Sequence, residues 1–327
     1  MRVLVTGGAG YIGSHTVRLL DSRGHSVWIY DNLSRGHAAA VPQDRLIVGD
    51  LADTSRLDQA LAGHAIEAVI HFAGLAYVGE SVHSPALYYQ NNVANSLNLM
   101  ECMRRRGISR LVFSSSCTTY GSPTELPIPE THPQSPVNPY GHTKLAIERA
   151  LLDYADAYGW GAVILRYFNA AGASGDGVLG EDHDPETHLI PLALFAALGL
   201  RPSLTIFGTD YPTADGTCIR DYIHVEDLAE AHLLALERLA PGKAPSYNVG
   251  LGRGYSVREV VAVVEDVTGR PVPIIEGPRR EGDPPALVAS CLKIRQVLAW
   301  RPRYQELRGI VETAWRWHRN HPQGYTP

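Results

Sequence analysis

Short apolar runs recur along the first half of the chain: Val3-Leu4-Val5, Val27–Tyr30, Leu46–Val48, Val69–Phe72, Leu111–Phe113 and Val163–Tyr167. They are continuous rather than alternating, as strands buried on both faces are. Between them lie longer stretches with helical spacing, the first from Ile12 to Arg23 with Gly24 just past its end. This alternation predicts an α/β fold, a doubly wound parallel sheet covered by helices on both faces. After about residue 170 the pattern changes. Glycine and proline become frequent (Gly172 to Gly180, Pro185, Pro191, Pro202, Pro212) and long loops are expected. We expect residues 1–170 to form the sheet domain and residues 171–327 a smaller α/β region on its C-terminal strand ends. Part of about 215–245 is expected to pack back on the sheet. Open sheets bind ligands at those strand ends.

The first strand runs into Gly7-Gly8-Ala9-Gly10-Tyr11-Ile12-Gly13 and then into the first helix. Glycines there allow a tight turn and close approach of backbone to a pyrophosphate, while the helix N-terminus offers free N–H groups and partial positive charge. Asp31 ends the second strand, where an acid can accept hydrogen bonds from an adenosine ribose. It would repel a 2′-phosphate, so NAD is favoured over NADP; Arg35 weakens that preference slightly. A glycine run alone is weak evidence. In strand–loop–helix–strand–Asp context it predicts a Rossmann-type dinucleotide site.

Pro139 can start a helix that sets Tyr140 and Lys144 on one face. A free tyrosine, with a pKa of about 10, is a poor base at neutral pH. A nearby ammonium and an oxidised nicotinamide both favour the phenolate. Lowering the pKa by roughly 3 units takes about 4 kcal/mol. Ser116, at the end of the fifth strand, can donate to or relay a proton from a substrate oxygen. For Ser114, and for Ser115, strand-end capping is the alternative reading.

Other features narrow the field. Net charge is −5 over 327 residues, so nothing electrostatic favours nucleic-acid binding. The four cysteines (Cys102, Cys117, Cys218, Cys291) form no C-x-x-C pair. With no signal peptide or bilayer-length apolar run discerned, a cytoplasmic location is expected. Arg104-Arg105-Arg106-Gly107 reads as a helix C-terminus. His183 and His188 lie in an acidic, proline-containing stretch that reads as solvated loop, with no metal expected.

These residues are joined by His71-Phe72-Ala73-Gly74-Leu75, Val78-Gly79-Glu80-Ser81, Tyr88 to Asn92, Arg166 to Asn169, and Ile206 to Thr213 running to Arg220 to His224. With them the chain resembles, over nearly its whole length, the extended short-chain dehydrogenase/reductases, and among these the UDP-glucose 4-epimerase family. The resemblance implies interconversion of UDP-glucose and UDP-galactose by transient oxidation and re-reduction at sugar C4, with NAD held throughout. It implies Tyr140 as base, Ser116 at the sugar O4 and Lys144 on the cofactor ribose. It implies a cofactor site of Gly7, Gly10, Tyr11, Ile12, Gly13, Asp31, Asn32, Leu33, Ser34, Gly36, Asp50, Leu51, Phe72, Ala73, Gly74, Asn91, Ser114, Tyr167 and Phe168. Asn169, His188, Leu189, Thr205, Ile206, Phe207, Arg220, Arg280, Asp283 and Leu287 are implied for the UDP-sugar. Two arginines suit a diphosphate because their charge is permanent and forked. A homodimer through helices around Asn92–Arg106 and Tyr140–Tyr158 is also implied. Three positions depart from the family: Ala76 replaces a common lysine, His188 an asparagine, and Leu287 falls between the bulky and small residues found there. A UDP-N-acetylhexosamine, UDP-pentose or UDP-uronate 4-epimerase is the near alternative. A 4,6-dehydratase would need acids where Thr118-Thr119-Tyr120 stands. A non-catalytic NAD sensor would not need Tyr140, Lys144 and Ser116 together.

Overall fold

The computed structural model describes residues 1–280 and 283–325. Seven strands form one parallel sheet in the order β10-β6-β5-β4-β1-β2-β3. They are β1 (Arg2–Thr6), β2 (Ser26–Asp31), β3 (Leu46–Val48), β4 (Ala68–His71), β5 (Arg110–Ser116), β6 (Gly161–Tyr167) and β10 (Ser246–Val249). The apolar runs are continuous because both faces are buried. Val3, Val5, Ile70 and Val163 face one core, under α1 (Tyr11–Ser22) and α8 (Val225–Glu237). Leu4, Val69, Phe113 and Ile164 face the other. That side is covered by α2 (Thr54–Gly63), α5 (Asn95–Arg105) and α6 (Pro139–Tyr158). Short α3 (Val78–His83) and α4 (Pro85–Tyr88) precede a π-helical turn, Tyr89–Ala94, that leads into α5.

Helix ends follow local chemistry. The Asn138 side chain accepts the Gly141 N–H at 2.9 Å with Pro139 in the first turn, so α6 starts there and presents Tyr140 at the strand ends. Gly159, at φ +68°, ends it.

The seventh strand escaped the apolar pattern. Ser246-Tyr247-Asn248-Val249 is half polar, yet Asn248 is fully buried because Tyr120 Oη donates to its Oδ1 at 2.7 Å and its Nδ2 donates to Ile128 O at 2.8 Å. The chain thus returns to the sheet through α8 and β10. Strand β5 also runs on through the three serines.

The remaining elements lie over the carboxyl ends of the strands. β9 (Ile219–His224) pairs with β7 (Asn169–Ala171), β11 (Gly254–Ser256) and β13 (Ala286–Leu287). β8 (Leu204–Phe207) pairs with β12 (Ile274–Gly277). Helices α7 (Leu189–Leu198), α9 (Val257–Thr268) and α11 (Leu307–Asn320) pack on a third core around Leu194, Val260 and Ile310. A short α10 (Leu292–Val297) lies against β10. No helix among the described residues is long and apolar enough to cross a membrane.

Candidate active site

A cleft of about 1150 Å³ runs between the sheet's carboxyl ends and the second region. Nearly all the residues singled out from sequence line it. From the glycine loop these are Gly7, Gly10, Tyr11, Ile12 and Gly13; from the next strand ends, Asp31, Asn32, Ser34, Gly36, Asp50 and Leu51. Phe72, Ala73, Gly74, Asn91, Ser116, Tyr140, Tyr167 and Phe168 form the floor, and Asn169, His188, Leu189, Thr205, Phe207, Arg220, Arg280, Asp283 and Leu287 the far wall. Leu33, Ser114, Lys144 and Ile206 do not line it. Leu33 packs on the core, Ile206 is fully buried, and Ser114 Oγ donates to Tyr167 Oη at 3.0 Å.

The glycine loop fits a dinucleotide. A Cβ on Gly13 would lie 2.2 Å from Gly7 O, and one on Gly7 2.5 Å from Ala73 N, so these two glycines permit close packing of turn, helix and strand. Gly10 meets only Gly7 O, at 3.4 Å, and lines the cleft. It is the N-cap of α1, has no side-chain cap and is followed by no acid in the first turn. An anion is what such a helix end lacks. Asp31 is already engaged, accepting from Ala9 N and Leu33 N at 2.9 Å each. Burial raises its pKa and those two backbone bonds oppose the rise. A carboxylate retains lone pairs for a further donor.

Tyr140 and Ser116 both line the cleft, and Ser116 is the neighbour that works to lower the phenol's pKa. Ser116 Oγ accepts from Thr118 N at 3.2 Å and Thr118 Oγ1 at 3.0 Å, which leaves its own hydrogen to donate elsewhere. Thr118 had no signal in the sequence beyond its place two residues on. The expected depression of the Tyr140 pKa is not a property of the chain alone. Burial, and then Tyr167, push the phenol well above 10; only Ser116 works the other way. Lys144 Nζ lies 5.8 Å from the Tyr140 ring centroid, beneath the wall, donating to Ser114 O at 2.8 Å. Burial lowers its pKa to about 8. An ideal Cβ on Gly74 would come 3.7 Å from that nitrogen, so Gly74 keeps the approach to it thin.

Buried side chains brace this floor. Asn92 Oδ1 accepts Leu75 N at 2.8 Å and its Nδ2 donates to Leu75 O at 2.9 Å, holding the loop after β4 against α6. Glu148 takes two donors from Arg166, plus Ser115 and Gln134, beneath the serine turn. Ser115 is therefore structural, as capping had suggested in kind though not in partner.

On the far wall Arg220 donates to Ile219 O and Pro284 O at 2.8 and 2.9 Å and pairs with Asp283 at 3.2 Å. The Arg280 guanidinium sits 4.2 Å from the Phe207 ring centroid. Ala76 lines the cleft without a charge, while Arg35 lies over Tyr77 and pairs with Glu80 at 3.2 Å. The segment with His183 and His188 is only partly solvated: Asp184, Pro185 and Thr187 are exposed, whereas the Glu181 and Glu186 side chains are 3% and 5% exposed and Trp317 of α11 donates to Glu181 O at 3.1 Å.

The sequence matches the NAD dependent epimerase/dehydratase family over residues 3–250. It is 51% identical to the UDP-glucose 4-epimerase of Halalkalibacterium halodurans over 327 residues, covering 100% of this chain and 98% of that protein. The crystal structure of UDP-glucose 4-epimerase from Brucella ovis in complex with NAD superposes with a TM-score of 0.92 at 51% identity, covering 96% of this chain and 97% of the other. The enzyme from Bifidobacterium longum in complex with NAD+ and UDP gives a TM-score of 0.95 at 38% identity, covering 99% and 100%. By glycine loop, tyrosine–serine pair and sequence alike, the chain belongs to the NAD dependent epimerase/dehydratase family.

Proposed function

We propose that this protein is an NAD-dependent UDP-glucose 4-epimerase, interconverting UDP-glucose and UDP-galactose. The observation that carries this is one cleft lined by an uncapped glycine-rich helix start, a buried phenol with a serine, and two arginines opposite. NAD, when bound, supplies a reversible hydride acceptor and a positive charge to that cleft. The glycine loop and the N-terminus of α1 would hold its pyrophosphate, with Asp31 and Asn32 at the adenosine ribose. Tyr140 takes the O4 proton of the sugar and returns it, while Ser116 orients O4 and stabilises the phenolate. Burial raises the pKa of the phenol in the protein alone, and the positive charge of a bound oxidised nicotinamide would favour its ionised form. Lys144 adds to it from below. Arg220 and Arg280 clamp the diphosphate, leaving the sugar free to turn and present its other face. No net redox change results.

In this reading residues 1–170, with α8 and β10 returning, form the cofactor half, and residues 171–327 hold the UDP-sugar. The enzyme works in the cytoplasm, consistent with four buried unpaired cysteines. It acts as a homodimer through α5 and α6, whose Leu97, Leu152 and Tyr158 are exposed. The test is incubation of purified protein with UDP-galactose. UDP-glucose should form without added reductant; bound NAD with no turnover of any UDP-sugar would make the protein a sensor instead.

A further inference from the structure

We infer that Glu181, His183, Glu186 and His188 form a four-ligand site for a zinc-like divalent cation, clasping the strap between β7 and α7 over the cofactor cleft. Their ligand atoms all lie within 4.8 Å of one another. His183 Nδ1 is 3.3 Å from Glu181 Oε1 and 3.5 Å from Glu186 Oε2. His188 Nδ1 is 2.8 Å from Glu181 Oε1 and 3.1 Å from Glu186 Oε1. Ligand bonds of 2.0–2.1 Å in a tetrahedron put neighbouring ligand atoms about 3.4 Å apart. The cluster has that scale already.

Hydrogen bonding alone does not account for it. Each imidazole nitrogen sits between two carboxylate oxygens, and one hydrogen can serve only one of them well. Among the described residues, Glu181 Oε1, His183 Nδ1 and Glu186 Oε2 are buried without a hydrogen-bond partner. They face one another as ion pairs at 3.3 and 3.5 Å, and a cation shared by all three would use the lone pairs that those contacts leave poorly aligned. The other Glu186 oxygen accepts Thr187 N and His188 N at 2.6 and 2.8 Å, which fixes that carboxylate's orientation.

Two imidazoles and two carboxylates suit zinc and its transition-metal neighbours rather than magnesium or calcium, which take mainly oxygen. Four protein ligands leave no open position, so the role is structural. Glu181, His183 and His188 face the cleft, which gives the ion an entry path. The strap is tied to the cofactor half at several points: Arg35 Nη1 donates to Asp184 O at 2.6 Å, Tyr11 Oη to Gly172 O at 2.7 Å, and His37 Nε2 lies 3.0 Å from Asp182 O. An ion here would hold that wall shut without touching the reacting sugar.

Without metal the same groups form an ion-paired cluster. Burial opposes charge on both histidines, but Glu181 and Glu186 outweigh it, raising His183 to about 9 and His188 to about 10.

The test uses the full chain, stripped with chelator and dialysed. Zinc is titrated by calorimetry, alongside Glu181→Gln and His188→Asn. We expect one zinc per chain and affinity down at least about tenfold in either variant, since even outer partners are worth that much. Cobalt should give the visible spectrum of a tetrahedral nitrogen–oxygen site. If Glu181→Gln does not fold, His188→Asn and the cobalt spectrum decide. No uptake, uptake indifferent to the substitutions, or magnesium binding as well as zinc would each overturn the site.

Discussion

The two walls of the cleft are made differently. The cofactor wall is mostly backbone: a glycine turn, a helix end and strand ends contributed by consecutive elements. The sugar wall is mostly side chains, drawn from segments as far apart as His188, Arg220 and Leu287. The first is fixed by steric necessity within a short stretch of chain, since a single Cβ at Gly13 meets Gly7 O at 2.2 Å. The second depends on charge and shape presented across long distances. Substitution on the first should damage binding and folding, whereas on the second it should shift preference.

The largest effect is expected where the walls meet. Tyr140→Phe removes only the phenolic oxygen, so NAD and UDP binding should persist while kcat falls about 10³-fold, in the range of general acid–base catalysis. Near-normal kcat would reject the assignment. On the cofactor wall, Gly13→Ala should lower unfolding free energy by about 1–3 kcal/mol through overpacking, read by denaturant titration. Gly10→Ala, with a contact of only 3.4 Å to meet, should fold normally but retain less NAD. Equal stability loss in both would show that Gly10 is not on the ligand side. On the sugar wall, Leu287→Tyr should reduce turnover of N-acetylated relative to plain UDP-hexoses, about tenfold for a changed fit of this size. An unchanged ratio would remove Leu287 from the gate.

The smallest effect concerns pH. In the metal-free protein the histidines of the strap have pKa values raised above the ordinary 6.5, to about 9 and about 10. Their stabilisation is therefore fully present below pH 6.5 and lost as pH rises through 9 to 10. The melting temperature should fall across that window more steeply than in a Glu181→Gln variant. Identical slopes would mean that the cluster does not titrate as a unit.

Much of this was legible from the chain. The glycine loop, Asp31, and the Tyr140–Ser116 pair could be read because each sits in one contiguous motif or at the end of one strand. The sheet was legible for six of its strands. β10 was not, because its polar Asn248 is satisfied by Tyr120 and Ile128 from distant parts of the chain. Lys144 was placed on the correct helix face, but its burial beneath Gly74 depends on how α6 meets β5. The acidic histidine stretch was half legible: its polarity suggests water, and Asp184, Pro185 and Thr187 are exposed, but the burial of the Glu181 and Glu186 side chains depends on distant segments.

The sequence by itself determined the glycine turn, the parallel sheet and the placing of Tyr140 at the start of its helix, since these follow from spacing along a few adjacent residues. Only the tertiary structure decided which charges are buried together, how high the phenol's proton affinity rises, and that Glu181 and His188 converge. Those are consequences of desolvation and of distances between segments, and no local pattern encodes either.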